Sequence, residues 1–115
     1  MENIKIDTHL TDEQLVSEII ETKSSEYFSI IYDRYSQKIY GKCLSFVKNR
    51  EEAQDLTHDI FVKLFVKIKT FNHKSKFSTW LYSFTYNHCV NYVQRELNKR
   101  RDKFLSSDNE NDYKD

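Results

Sequence analysis

The chain has 115 residues, with 18 Lys and Arg balancing 18 Asp and Glu, a single Gly and no Pro. That length holds one domain with one core and excludes two ordinary ones. Turns and strand edges lean on Gly and Pro, so their scarcity excludes a turn-rich architecture and points to long helices.

The balanced total hides an uneven distribution. From Met1 to Thr22 the acids Glu2, Asp7, Asp12, Glu13, Glu18 and Glu21 face Lys5 alone. From Asn72 to Lys103 the bases Lys74, Lys76, Arg95, Lys99, Arg100, Arg101 and Lys103 face only Glu96 and Asp102. A basic C-terminal third suits a polyanion partner on one face; it equally suits a solvated helix end whose cations complement the helix dipole. Eight Tyr, eight Phe and Trp80 supply more aromatic surface than a core alone requires.

Cys43 and Cys89 stand far apart in sequence, without CxxC or Cys/His ligand spacing, and read as core cysteines of a reducing compartment. The start of the chain has no apolar leader and no stretch approaches membrane-spanning length, so a cytoplasmic location is expected. There is no Gly-rich phosphate loop, nucleophile elbow or metal-ligand cluster, and His9, His58, His73 and His88 are scattered. The chain is not expected to be an enzyme or to need a cofactor.

The first helix opens at Thr11, with Gln14 three residues on as a capping box requires, and turns Leu15, Ile19 and Ile20 inward. Ser24 or Ser25 caps a second helix that runs to about Lys48. Phe28, Ile31, Tyr35, Ile39, Cys43 and Phe46 recur along it at helical spacing. Gly41 in its middle costs roughly 1 kcal/mol relative to Ala and suggests a close helix crossing.

Asn49 caps the third helix, and Glu51 and Glu52 lie in its first turn, where the dipole favours acids. Ala53, Leu56, Ile60, Leu64 and Ile68 form its inward stripe; Asp55, Asp59, Val62, Lys63 and Val66 lie opposite. A polar loop follows, about Thr70 to Lys76. Ser75 or Ser78 then starts a last helix running past Lys99, with Phe77, Leu81, Phe84, His88 and Tyr92 inward. From Ser106 the chain is rich in Ser, Asp, Asn and Glu without apolar periodicity, and disorder is expected. Its last four residues, Asp112 to Asp115, also look like the start of a common epitope tag. The predicted fold is therefore all-α: a compact bundle of three main helices plus a short N-terminal helix. Residues 1–10 form an extension, 11–104 the helical domain and 105–115 a disordered tail or linker start.

Three features together bring out a resemblance: Asp55-Leu56-x-x-Asp59-x-Phe61 in a helix, Phe71 before a polar loop, and Phe77-Ser78-Thr79-Trp80-Leu81-Tyr82 with Asn87. In this order they resemble region 2 of the sigma-70 family, most closely the small extracytoplasmic-function (ECF) sigma factors of bacterial transcription. Tyr27-Phe28 and Tyr32-Asp33-Arg34-Tyr35 resemble the start of that domain, and the likeness spans about residues 10 to 103. It implies an all-α bundle in which one helix docks on the clamp helices of the RNA polymerase β′ subunit. The next loop and helix are implied to recognise and melt the promoter −10 element, including its single-stranded non-template bases. An anti-sigma factor is implied as a further partner. The family's usual C-terminal helix-turn-helix is absent, which implies an excised domain or a natural short form. The family also often carries arginines near the positions of Ser83 and Tyr86, and an Asp where this chain has Asn91.

On this likeness the polymerase-binding residues are Asp55, His58, Asp59, Val62, Lys63 and Val66; Asp59 and Lys63 could instead form a weak i,i+4 pair on a solvated face. The DNA-binding residues are Asn72, His73, Lys74, Ser75, Lys76, Tyr82, Tyr86, Asn87, Gln94, Arg95, Lys99 and Arg100. Asn72 has the paired donor and acceptor to read a base edge, Ser75 adds a single bond, and the lysines hold phosphates. Tyr82 and Tyr86 can stack on bases, while Trp80 at its spacing reads as core. Gln94, Arg95, Lys99, Arg100 and Lys103 suit duplex phosphates. Asn87 and Asn91, four apart, suit a buried polar pair that fixes packing, with Asn87 alternatively reaching DNA. His88 reads as a satisfied core residue. The alternative to the whole scheme is a helical protein-interaction module that uses the acidic helix and binds no DNA.

Overall fold

The computed structural model describes residues 7–113, with side chains as far as residue 105. Helices run Asp12–Thr22 (α1), Ser25–Val47 (α2), Arg50–Lys67 (α3) and Phe77–Tyr113 (α4), with a 3-10 turn at Ile68–Thr70. No strand occurs among the described residues. The all-α expectation holds, with three long helices and a short leading one.

The caps set the helix starts. The Gln14 N–H donates to Thr11 Oγ1 at 3.1 Å and the Thr11 N–H donates to Gln14 Oε1 at 2.9 Å, completing the capping box. Ser24, not Ser25, caps α2 by accepting from the Glu26 N–H at 3.1 Å. Asn49 caps α3 by accepting from the Glu52 N–H at 2.9 Å. The two connections α1–α2 and α2–α3 are each only two residues long. Lys23 (φ 56°) and Lys48 (φ 59°) take the left-handed conformation that ends the preceding helix, where Gly would usually stand. So short a link makes α2 and α3 antiparallel neighbours, and they share the largest interface of the bundle.

Leu15, Val16 and Ile19 of α1, Ile31, Tyr35, Ile39 and Cys43 of α2, and Ala53, Leu56, Ile60 and Leu64 of α3 meet in one core, closed by Phe77, Leu81 and Cys89 of α4. Arg34 and Tyr35 tie α1 to α2. Arg34 Nη1 bonds Asp12 Oδ1 at 2.8 Å, its Nη2 donates to the Thr8 and Leu10 carbonyls, and the Tyr35 hydroxyl donates to Asp12 Oδ2. Burial, then the Asp12 bond, push the Tyr35 phenol above its ordinary value.

Several expectations need correction. Val16 and not Ile20 completes the inward face of α1; Ile20 is exposed. A Cβ on Gly41 would meet nothing within 4 Å, so this glycine marks no close crossing. In α4 the fully buried line is Phe77, Leu81, Thr85 and Cys89, with Phe84, His88 and Tyr92 only half-buried. Thr85 fits because its hydroxyl donates back to the Leu81 carbonyl at 2.9 Å. Neither Ser75 nor Ser78 caps α4; the Phe77 N–H is met by Glu13 Oε2 of α1 at 2.8 Å. The tail expectation is not among these corrections: α4 is bounded at Tyr113. The side chains beyond residue 105, and residues 1–6, 114 and 115, lie outside the described residues.

Candidate nucleic-acid and partner interfaces

The loop between α3 and α4 is presented, not buried. Phe71 and Phe77 plug into the core on either side of it, and Asn72, His73, Lys74, Ser75 and Lys76 between them are all exposed. Behind the loop stands an aromatic wall. Phe71 lies 5.6 Å from Phe77 and 5.4 Å from Trp80, and Trp80 stacks on Phe84 at 5.7 Å between centroids. Trp80 is thus half-buried packing, as its spacing suggested. His73 adopts φ 64° and sets its ring 4.6 Å from Phe71, fixing the turn of the loop on that wall.

The loop's polar groups are partly engaged with one another. Asn72 Oδ1 accepts the Lys74 N–H at 3.1 Å, a local turn of the kind Asn favours. Its acceptor therefore serves the loop backbone and its amide N–H₂ remains to meet a ligand, which modifies the expected two-point reading of a base edge. The Ser75 hydroxyl donates to the Lys76 carbonyl at 3.3 Å. Lys74 and Lys76 project into solvent.

Along α4 the remaining expected residues divide among different sides. Tyr82 and Tyr86 face α2: Lys42 Nζ sits 4.6 Å over the Tyr82 ring and Phe46 lies 5.7 Å from Tyr86, which is 60% exposed. Lys38 and Lys42 line a shallow groove with Gly41, Ser45 and Tyr82. These two lysines of α2 were not among the sequence candidates, since they lie far from α4 in the chain and read as an ordinary solvated face. Asn87 and Asn91 are exposed and do not form a buried pair; with Gln94 and Asn98 they make a strip of amides, the Gln94 amide donating to Asn98 Oδ1 at 3.2 Å. Arg95 lies near His88 on the α3 side, whereas Arg100 borders Phe46 and Val47 at the end of α2. Lys99 makes a loose pair with Glu96 at 3.4 Å. Loop and basic end are separated by 22 helical residues, about 33 Å, close to one turn of duplex.

His88 is not the satisfied core residue expected. Its Nε2 is buried without a hydrogen-bond partner. Burial, then the Lys63 cation, hold its imidazole below the ordinary value; Asp59 opposes them and Arg95 adds a smaller push downward.

The second surface is the outer side of α3. Asp55, His58, Asp59, Val62, Lys63 and Val66 are all exposed, Val62 at 51% and Val66 at 60%. Among the described residues no ion pair joins Asp59 to Lys63. Both acids are thus open to solvent beside two exposed valines. Val66 continues into an apolar groove with Ile19, Ile20, Phe65 and Ile68, rimmed by Lys23 and Lys69. Among the described residues no three His, Cys, Asp or Glu side chains gather as metal ligands, and no helix is long and apolar enough to cross a membrane.

An all-α bundle with an exposed polar loop between its last two helices, and an acidic-apolar face on the helix before it, matches the family model for sigma-70 region 2 over residues 31–100. The chain belongs to the sigma-70 region 2 family. Its similar proteins include the ECF RNA polymerase sigma factor SigW of Bacillus subtilis, 30% identical over 89 residues, covering 77% of this chain and 46% of that protein. RNA polymerase sigma-H factor of Pseudomonas aeruginosa is 33% identical over 86 residues, covering 75% and 44%. The ECF RNA polymerase sigma-E factor of Haemophilus influenzae is 30% identical over 103 residues, covering 89% and 53%. The chain thus spans about half the length of these relatives. A solved NMR structure of an engineered region 2 of sigmaE in complex with GTAAAA is also similar. It has a TM-score of 0.69 at 26% identity and covers 82% of this chain and 97% of that one.

Proposed function

We propose that this chain is the region 2 domain of an ECF sigma factor, which joins core RNA polymerase to a promoter and helps open the −10 element. It acts by binding, in the cytoplasm, and not as an enzyme. The observation that carries the reading is the exposed 72–76 loop seated on its aromatic wall, in a chain similar to a region 2 bound to GTAAAA.

Strand opening costs base stacking, on the order of 1–2 kcal/mol per step. Captured and stacked bases offset that cost. The free amide of Asn72 and the lysines at 74 and 76 meet the non-template strand at the loop. Tyr82 and Tyr86, with Lys42 beside them, offer stacking and charge along α4, and Gln94, Arg95, Lys99 and Arg100 hold phosphates further on. The α3 face takes the clamp helices of the β′ subunit: Asp55 and Asp59 meet basic side chains, and Val62 and Val66 meet apolar ones. An anti-sigma factor would compete for the same two faces.

The test is binding of labelled single-stranded hexamers, GTAAAA and permutations of it, to the chain and to its Asn72→Ala/Lys74→Ala variant. The reading expects sequence preference in the parent and its loss in the variant. Equal binding of all hexamers by both proteins would refute base capture by the loop.

A further inference from the structure

The two cysteines that stand 46 positions apart in sequence meet in the core. Cys89 of α4 donates its S–H to Cys43 Sγ of α2 at 3.8 Å, and both side chains are fully buried. They are the only cysteines of the chain, so any intramolecular disulfide must be this one. Thr57 of α3 borders Cys43 from the third side, its own hydroxyl proton committed to the Ala53 carbonyl at 2.7 Å.

We propose that Cys43 and Cys89 form an oxidisable pair, closing under peroxide to a disulfide that ties α2 to α4. The sulfurs are in van der Waals contact and would have to approach to about 2.05 Å to bond.

The asymmetry of the pair assigns the roles. As the acceptor in this contact, Cys43 has its thiolate stabilised by the Cys89 S–H against the opposing effect of burial, while the same contact and burial both push Cys89 up. Cys43 is therefore the sulfur that attacks. Its thiolate attacks one oxygen of the peroxide; the S–O bond forms and the O–O bond breaks, Cys43 becomes a sulfenic acid, and the other oxygen leaves as hydroxide and takes up the proton released by the Cys43 thiol to become water. Cys89 then attacks Cys43 Sγ; the S–S bond forms, the S–O bond breaks, and the hydroxyl leaves as a second water with the Cys89 proton. Two thiols lose two electrons and one peroxide gains them.

Cys43 lies between Lys42 and Phe46 in α2, whose side chains meet Tyr82 and Tyr86 of α4, so the tie fixes α2 against α4 where both helices carry candidate nucleic-acid residues. Without an oxidant the pair remains two packed thiols.

The folded chain is treated with hydrogen peroxide, alkylated, and its intact mass and non-reduced peptide map recorded over time. The same is done in strong denaturant. The proposal expects the folded chain to lose two hydrogens, to yield a single linked peptide pair containing Cys43 and Cys89, and to do so faster than the denatured chain. Cys89→Ser should stop at a dimedone-trappable sulfenic acid on Cys43, and Cys43→Ser should react slowly. If either variant fails to fold, the parent's map and rate comparison decide alone. Oxygen addition without linkage, linkage only between chains, or faster closure in denaturant would overturn it.

Discussion

The N-terminus of α4 is capped from another helix: Glu13 Oε2 of α1 accepts the Phe77 N–H at 2.8 Å across 64 residues of sequence. The contact seats the first turn of α4 and with it the end of the exposed loop. A carboxylate at this position satisfies an otherwise free amide and complements the helix dipole. Glu13→Ala is expected to cost about 1–2 kcal/mol in urea unfolding and to speed amide exchange at residues 77–80 in particular. Unchanged stability and exchange would mean the bond contributes nothing.

Gly41 offers the opposite case. It is exposed in the middle of α2 with open space where a Cβ would go. Gly41→Ala is expected to raise stability by roughly 0.5–1 kcal/mol, since only helix propensity changes. A loss on chemical denaturation would reveal a contact at this position.

How far the sequence reached follows from the range of each signal. Thr11, Asn49 and the apolar stripes of α2 and α3 act within a few residues, and the helices they predict are found. The α4 cap from Glu13, the meeting of Cys43 with Cys89, and the placing of Lys42 over Tyr82 depend on how helices dock, which no local pattern encodes. Thr85 was missed for another reason: a hydroxyl satisfied by its own helix hides as well as a methyl group. Within the candidate site, the exposure of residues 72–76 and of the α3 face was legible because both sit between strong apolar markers. The division of the α4 residues among several sides was not, because a cluster in sequence is not a face on a helix.

His88 gives a pH dependence. Burial and the Lys63 and Arg95 cations lower its value in the folded state below the ordinary 6.5, with Asp59 opposing. The unfolded chain therefore binds the proton more readily, and stability rises with pH through this window. The contribution of neutral His88 is fully present above about 6.5 and is lost as pH falls toward the lowered folded value. His88→Gln is expected to flatten the fall in stability between neutral and mildly acid pH, seen in thermal midpoints of both proteins. Parallel pH curves would contradict this.

The basic end of α4 should act through phosphates alone. Lys99 and Arg100 are exposed, and the Lys99–Glu96 pair is too loose and solvated to withhold the ammonium. Lys99→Ala/Arg100→Ala is expected to weaken binding to every DNA sequence alike. The slope of log affinity against log salt should fall by about 1.4–1.8, for two lost phosphate contacts. Loss on one sequence only would assign these residues to base reading instead.

The central claim is that the outer side of α3 docks on polymerase. The most direct measurement is the affinity of this chain for a β′ clamp-helix fragment at moderate salt, beside Asp55→Ala/Asp59→Ala. Both acids are exposed and make no ion pair among the described residues, so the variant should keep its fold. Micromolar or tighter binding by the parent, weakened at least tenfold in the variant, or about 1.4 kcal/mol, is the result this account predicts. No binding by the folded parent, or equal binding by both, would contradict it and leave a helical interaction module as the better description.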